Sequence, residues 1–495
     1  MIINNRSSID KISPPLKINK KEILEEPKDE VTLSGQNEKE WTLLFYLDGS
    51  SNLSRTSLYK LRSLEKVGSD DNMNIVAQIS RPKHFIRDMV TGDWSGTRRY
   101  YVTQNPSSNE VYNQFNLHDG YTKGKVMANM MGQALKDGKE KGIITEDSGL
   151  IEKSKFLYKA TKASPFNSVR NILKETGEIN SQLVSEEGRA AMSSPETLKD
   201  FLEWGMKNYP AKHYMVVIQG HGTGPEGVLG DKDGKISLPV MENTLMDVQK
   251  DTGVKPDILF FDACLMGGAE VSYQMKDTAD IMIASQEVER GFTLPYQKPV
   301  EFLGEALQKG PVIPVDLAKK VIETGKNNTA HNFTPTMAAT DLKEMKNFGV
   351  ALDEFSKALD KAQDKYKEKL DELIASSQHF NLKYEGEKVK LQERLAGHLK
   401  PSIVNNCVDL YDFACKIAES SDIDDENLKK SASDFLNSLS KTILANETTG
   451  ENYQNAHGLS IFLPEQPEQF SKKTFSEYKK LSLAQDTGWD EFIAG

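Results

Sequence analysis

The stretches HYMVVIQGHGTG (213–224) and DILFFDACLMGG (257–268) share one design, an apolar run of strand length followed by small residues around a reactive side chain. Met215 to Ile218 and Ile258 to Phe261 are continuous, unalternated apolar runs too short for a helix, the pattern of strands buried on both faces. The first empties into Gly220-His221-Gly222 and the second into Asp262-Ala263-Cys264. Residues 238–252 between them have helical apolar spacing, so strand, helix and strand follow in order, the unit of a parallel sheet. Reactive groups in open sheets of this kind gather just beyond the C-terminal strand ends, which places an imidazole and a thiol at neighbouring mouths.

The same grammar extends to both sides. WTLLFYL (41–47) predicts a buried strand emptying into Asp48-Gly49-Ser50-Ser51-Asn52, and Leu58, Leu61, Leu64 and Val67 predict a helix before a strand over 74–80. A helix opening near Ser194, with Leu198, Phe201, Leu202 and Met206 inward, leads into 213–219. A helix after Cys264 leads into IMIAS, Ile281 to Ser285. The fold class is therefore α/β, a mostly parallel sheet flanked by helices, over residues 40–300. Between about 102 and 192 the alternation breaks into Lys- and Glu-rich helical patches, read as an insertion. Residues 1–39 are polar with Pro14-Pro15 and no apolar period, and are expected to form a disordered arm. Residues 301–495 turn helical: Leu342, Met345, Phe348, Leu352, Phe355, Leu359, Tyr366, Leu370 and Leu373 form one stripe. Thr334 to Ala339 and GLSIFLP (458–464) are expected to extend the sheet.

Composition narrows the function. The 495 residues carry 62 Lys and Arg against 73 Asp and Glu, a net charge of −11, so the overall field repels nucleic acid and anionic membrane. The apolar runs fall far short of the roughly 20 residues that cross a bilayer, so no membrane span is expected. The first 20 residues lack the apolar core of a secretory signal, which leads to an expectation of cytoplasmic residence or export by a non-standard route. Three cysteines do not make a secreted disulfide scaffold. Cys407 and Cys415 lie in CVDLYDFACKIAE, whose helical period reads as core. The seven histidines other than His221 sit in no HxxxH or CxxC spacing, so no zinc site is indicated.

A thiol just before a helix and beside an imidazole is expected to ionise easily, the thiolate attacking while the imidazole moves the proton. The two residues stand 43 positions apart, each behind its own strand, an order like that of the caspase His and Cys.

On these residues the chain resembles the clostripain family of cysteine peptidases, which share the caspase-like fold. The resemblance runs through WTLLFYLDGSSNL, PETLKDFLEWGMKNYPAKHYMVVIQGHGTG, DILFFDACLMGGAEVSYQMKDTADIMIASQEVERGFTLPY, VDLYDFA and GLSIFLP. It implies a cysteine endopeptidase with Cys264 as nucleophile, His221 as general base, and the N–H groups of Gly222 and Cys264 as the oxyanion hole. It implies protein or peptide substrates, with Asp262 at the floor of a pocket for Arg or Lys and Ser285 as a further substrate-binding residue. It also implies self-cleavage between the two catalytic strands, where Lys232 and Lys235 are the candidates and the protein is its own substrate. Some relatives depend on calcium, but Asp231-Lys232-Asp233-Gly234 is no EF-hand loop, and no cofactor is expected. The alternatives are a thiol acyltransferase or transpeptidase using the same dyad, and a non-enzymatic interaction scaffold.

Overall fold

The computed structural model describes residues 38–82, 94–106, 179–231, 233–289, 296–326, 336–380, 406–464 and 472–494, with a few positions between 136 and 153. Most of the expected arm and insertion therefore lie outside the described residues.

A nine-stranded sheet carries the molecule. In chain order its strands are β1 (Lys39–Leu47), β2 (Met73–Arg81), β3 (Gly96–Tyr101), β4 (Gln182–Gly188), β5 (Ala211–Gln219), β8 (Ile258–Asp262), β9 (Ile281–Ala284), β10 (Thr336–Asp341) and β13 (Ile443–Thr448). They lie side by side in the order β13-β10-β9-β8-β5-β1-β2-β3-β4. The five central strands, β9, β8, β5, β1 and β2, are parallel neighbours, while β3 and β4 close one side and β10 and β13 the other in antiparallel pairing. β4 comes from the stretch read as insertion; its sequence QLVSEEG is polar because an edge strand faces water. A hairpin of β6 (Val228–Asp231) and β7 (Gly234–Ile236) follows the β5 loop.

Alternation along the central strands divides the core. Leu44, Tyr46, Val216, Ile218, Leu259 and Phe261 face one side of the sheet; Leu43, Phe45, Met215, Val217, Ile258 and Phe260 face the other. The second side is covered by α1 (Ser54–Glu65), α5 (Gln297–Leu307) and α6 (Pro314–Lys326), whose Leu58, Leu61, Val300, Leu303 and Leu317 join that core. The first is covered by α2 (Pro195–Asn208), α3 (Leu238–Thr252), α4 (Ala269–Gln274) and the long α7 (Met345–Ser376). α2 begins where Ser194 accepts from the Thr197 N–H with Pro195 in the first turn, and α3 stops at Gly253, whose left-handed backbone (φ 73°) closes the helix end. The predicted stripe is buried, Leu342 in a 3-10 turn (Leu342–Glu344) and Met345 to Leu373 along α7, which kinks at Tyr366.

Two expectations for the C-terminal region are corrected. GLSIFLP does not extend the main sheet: its strand β14 (Ser460–Phe462) pairs with β12 (Cys407–Asp409), which pairs with β11 (His379–Phe380), making a separate three-stranded sheet. Thr336–Asp341 does join the main sheet. Cys407 is core, but on β12; the helix α8 (Leu410–Glu419) starts only where Asp409 accepts from the Asp412 N–H. All three cysteines are free thiols.

Candidate active site

One rung of the sheet sets the site. Leu47 of β1 is paired with Gln219 of β5, and Gln219 with Asp262 of β8. His221 and Cys264 each stand two residues beyond that rung on adjacent strands, whose spacing is about 4.8 Å. The loops that carry them touch. A Cβ placed on Gly222 would stand 2.2 Å from the Cys264 carbonyl oxygen and 3.1 Å from Ala263 Cβ, so only glycine lets the two backbones meet. On its other side the His loop is bridged to β6, the Leu229 N–H donating to the His221 carbonyl and the Thr223 N–H to the Gly227 carbonyl. In such a pair the Gly222 N–H points away from β6.

His221 is half-buried, and its Nε2 lies 2.7 Å from Asn52 Oδ1. Asn52 comes from the loop after β1, so Asn52, His221 and Cys264 sit at the mouths of three consecutive strands. An amide oxygen only accepts, so it holds the neutral ring with its proton on Nε2 and leaves Nδ1 as the basic nitrogen. Burial lowers the His221 pKa, and the buried carboxyl of Asp48 works against that fall. Burial also raises the Asp48 pKa, countered by bonds from the Ser50 hydroxyl and N–H.

Cys264 follows the end of β8, and the next residue, Leu265, has a left-handed backbone (φ 63°) that turns the chain sharply. The turn is held by the strand next door: the Gly267 N–H donates to the Ser285 carbonyl at 2.7 Å, and the Ser460 N–H donates to the Gly267 carbonyl at 3.0 Å. The expected easy ionisation of the thiol is corrected. α4 starts at Ala269, five residues later, so its N-terminus does not bear on the sulfur. Burial and the nearby Glu289 push the Cys264 pKa up to about 12, and the thiol donates to the Glu289 carbonyl at 3.7 Å. Burial leaves the Cys264 thiol and the His221 imidazole each neutral at rest.

Asp262 faces the α1 and α5 side, whereas Cys264 packs against the core on the opposite side, because strand alternation ends at Asp262. The Asp262 side chain is 1% exposed and takes hydrogen bonds from Lys60 Nζ and the Tyr296 hydroxyl on the same oxygen. Burial alone would raise its pKa; Lys60 and the bonds from Glu289, Lys60 and Tyr296 outweigh burial and hold the carboxylate ionised. Burial, then the Asp262 charge, pushes the Glu289 carboxyl well up, so Glu289 is the proton-bearing partner. Ser285 is fully buried, its hydroxyl donating to the Glu287 carbonyl at 2.9 Å and meeting Thr336 Oγ1 at 3.0 Å. Lys235 is exposed on β7 and paired with Glu226 at 2.8 Å; Lys232 lies outside the described residues. Asp231 closes its turn by accepting from the N–H groups of Asp233 and Gly234.

Sequence reading missed Asn52, Lys60, Glu289 and Tyr296. For Lys60 a signal existed: Ser57, Lys60, Leu61 and Leu64 share one face at spacings of three and four, so a lysine sits within a buried helical stripe. Among the described residues no group of three or more His, Cys, Asp or Glu gathers to hold a metal ion. None of their helices is long and apolar enough to cross a membrane.

A sheet with a thiol and an imidazole at neighbouring strand mouths is the frame of enzymes that work through a cysteine nucleophile. Residues 161–495 match the model of the Clostripain family, and the chain belongs to that family of cysteine peptidases. It is 24% identical over 480 residues to clostripain of Hathewaya histolytica, covering 87% of this chain and 76% of that protein. Its fold is like that of a secreted C11 cysteine protease of Bacteroides thetaiotaomicron, "iotapain" (TM-score 0.54, 14% identity, 91% of this chain and 99% of that one). It is equally like an inactive zymogen C11 protease of Parabacteroides distasonis (TM-score 0.53, 15% identity, 92% and 99%).

Proposed function

We propose that this peptidase hydrolyses peptide bonds that follow Arg or Lys, with Cys264 as nucleophile and His221 as base. The observation that carries the dyad is the Gln219–Asp262 rung, from which both residues extend by two positions on adjacent parallel strands. As Sγ attacks the scissile carbonyl carbon, the thiol proton passes to the basic nitrogen of His221. The oxyanion forms beside the Gly222 and Cys264 N–H groups. Collapse expels the amine with the His221 proton and leaves an acyl-thioester, which water hydrolyses with His221 again taking the proton. Burial keeps the His221 imidazole neutral and so free to accept a proton at neutral pH, and the uphill transfer from the thiol is coupled to its attack on the carbonyl.

Selection of a basic residue rests on Asp262, the carboxylate nearest the nucleophile along the chain; a guanidinium or ammonium there gains a charge-assisted bond. Self-cleavage falls in the β6–β7 hairpin, after Lys232 or Lys235; exposure of Lys235 supports this. The test is a set of fluorogenic peptides differing only in the residue before the scissile bond, run with wild type and Cys264→Ala. Turnover of Arg and Lys peptides by wild type alone is expected. Equal turnover by Cys264→Ala, or a preference for Asp, rejects the proposal.

A further inference from the structure

We infer that Lys60 is a specificity-determining residue, occupying from within the chain the place at Asp262 that the basic side chain of a substrate would take. This rests on the reading of Asp262 as the carboxylate that selects the residue before the scissile bond.

Lysines are almost never fully buried unless paired, yet Lys60 is 2% exposed in the middle of α1. Its ammonium is gripped as a bound ligand would be. Nζ donates to Asp262 Oδ2 and lies 5.1 Å from the centroid of the Tyr296 ring, and the Tyr296 hydroxyl fixes the same carboxylate oxygen. A carboxylate with an aromatic face is the chemistry that recognises a lysine or arginine head group. This cage also shares a wall with the nucleophile. Glu289 bonds Asp262 through its carboxyl and accepts from the Cys264 thiol through its backbone carbonyl. Asp262 and the sulfur lie on opposite sides of the strand end, and Glu289 is the residue that touches both.

The charges make Lys60 a competitor. Glu289 is the protonated partner, so one negative carboxylate, Asp262, faces one positive ammonium, Lys60. A substrate lysine arriving at a neutralised, filled cage finds no net field to draw it in and must displace the resident ammonium. A neutral substrate side chain has no stake in that exchange. Lys60 thus lowers the preference for basic residues below what Asp262 alone would impose.

The experiment measures kcat/KM on peptides with Arg, Lys, Gln or norleucine before the scissile bond, for wild type, Lys60→Met, Lys60→Arg, Asp262→Asn and Lys60→Met/Asp262→Asn. The readout is the ratio of Arg to norleucine kcat/KM. Lys60→Met is expected to raise it about tenfold or more, since the resident ion pair no longer competes. Lys60→Arg, which keeps the cation, is expected to stay near the wild-type ratio, and the double variant to lose the gain. If Lys60→Met does not fold, Lys60→Gln, which can still donate to Asp262, carries the same expectation; thermal melts identify the folded variants. A folded Lys60→Met or Lys60→Gln with the wild-type ratio, in an enzyme whose ratio falls on Asp262→Asn, overturns the role of Lys60 and leaves Asp262 standing. An Asp262→Asn ratio equal to wild type removes the Asp262 reading, and the inference with it.

Discussion

His221 Nε2 and Asn52 Oδ1 stand 2.7 Å apart, although 169 residues separate them in the chain. The contact joins the loop after β1 to the loop after β5, and it decides which ring nitrogen is basic. Asn52→Ala should lower kcat about 10- to 100-fold with little change in KM, because the ring loses its tautomer preference and not its substrate contacts. Asn52→Asp keeps the bond but adds a negative charge, which favours imidazolium and raises the His221 pKa. The acid limb of the kcat/KM profile should then move to higher pH by about one unit or more. An unmoved limb, or a KM effect alone, would show that Asn52 does not position the base.

The resting thiol is the second test. A cysteine whose pKa is pushed up to about 12 is almost entirely protonated at neutral pH. Alkylation of Cys264 by iodoacetamide should accordingly be slow at pH 7, slower than that of an ordinary cysteine of pKa about 8.5, and should keep rising with pH beyond 9. Mass spectrometry of the modified peptide reads the rate at each pH. A plateau reached below pH 7 would mean a preformed thiolate.

What could be read in the sequence, and what could not, follows the range of the forces involved. β1, β5 and β8 announce themselves because strands buried on both faces need uninterrupted apolar runs, and the reactive residues stand directly at their ends. β3 and β4, GTRRYY and QLVSEEG, carry too little apolar signal to be seen. GLSIFLP reads as a strand, but nothing local says that its partner is β12 and not the main sheet. The resemblance puts Asp262 in a pocket near the nucleophile, whereas the partner that holds it, Lys60, is 202 residues away in the chain. The acidity of Cys264 was misjudged for the same reason: a helix follows, but five residues late, and the burial that raises the pKa is a tertiary property.

Gly222 tests the closeness of the His221 and Cys264 loops. Its substitution by Ala would put a methyl group 2.2 Å from the Cys264 carbonyl, which is backbone and cannot rotate away. Either loop must shift, at a stability cost of about 1–3 kcal/mol. A shift of about 1 Å between nucleophile and base costs on the order of 100-fold in rate, so Gly222→Ala should be folded and nearly inactive. Circular dichroism with peptide hydrolysis checks both. A variant with more than about a tenth of wild-type kcat would mean that the loops are not in this contact when the enzyme turns over.

The fourth prediction concerns the small C-terminal sheet and how it holds the Cys264 turn. Asp409, fully buried, accepts from the Asp412 N–H at 2.9 Å, from Gln286 Nε2 at 2.9 Å and from the His457 N–H at 2.7 Å, and its Oδ1 lies 3.2 Å from His457 Nδ1. Gln286 in turn accepts from the Gly458 N–H, directly after Ser285, whose carbonyl anchors Gly267. This explains why VDLYDFA, GLSIFLP and the residues after IMIAS belong together although they lie far apart in the chain. Asp409→Ala would strand several buried donors and should cost about 3 kcal/mol or more. For His457, burial lowers the pKa, but the bond and charge of Asp409 outweigh it and raise the value. A raised imidazole pKa contributes stability that is fully present below the unfolded value of about 6.5 and is lost as pH rises through the folded value. The difference in urea unfolding free energy between wild type and His457→Gln should therefore be larger at pH 5.5 than at pH 8.5. An equal difference at the two pH values would show that the imidazolium–Asp409 pair does not support the folded state.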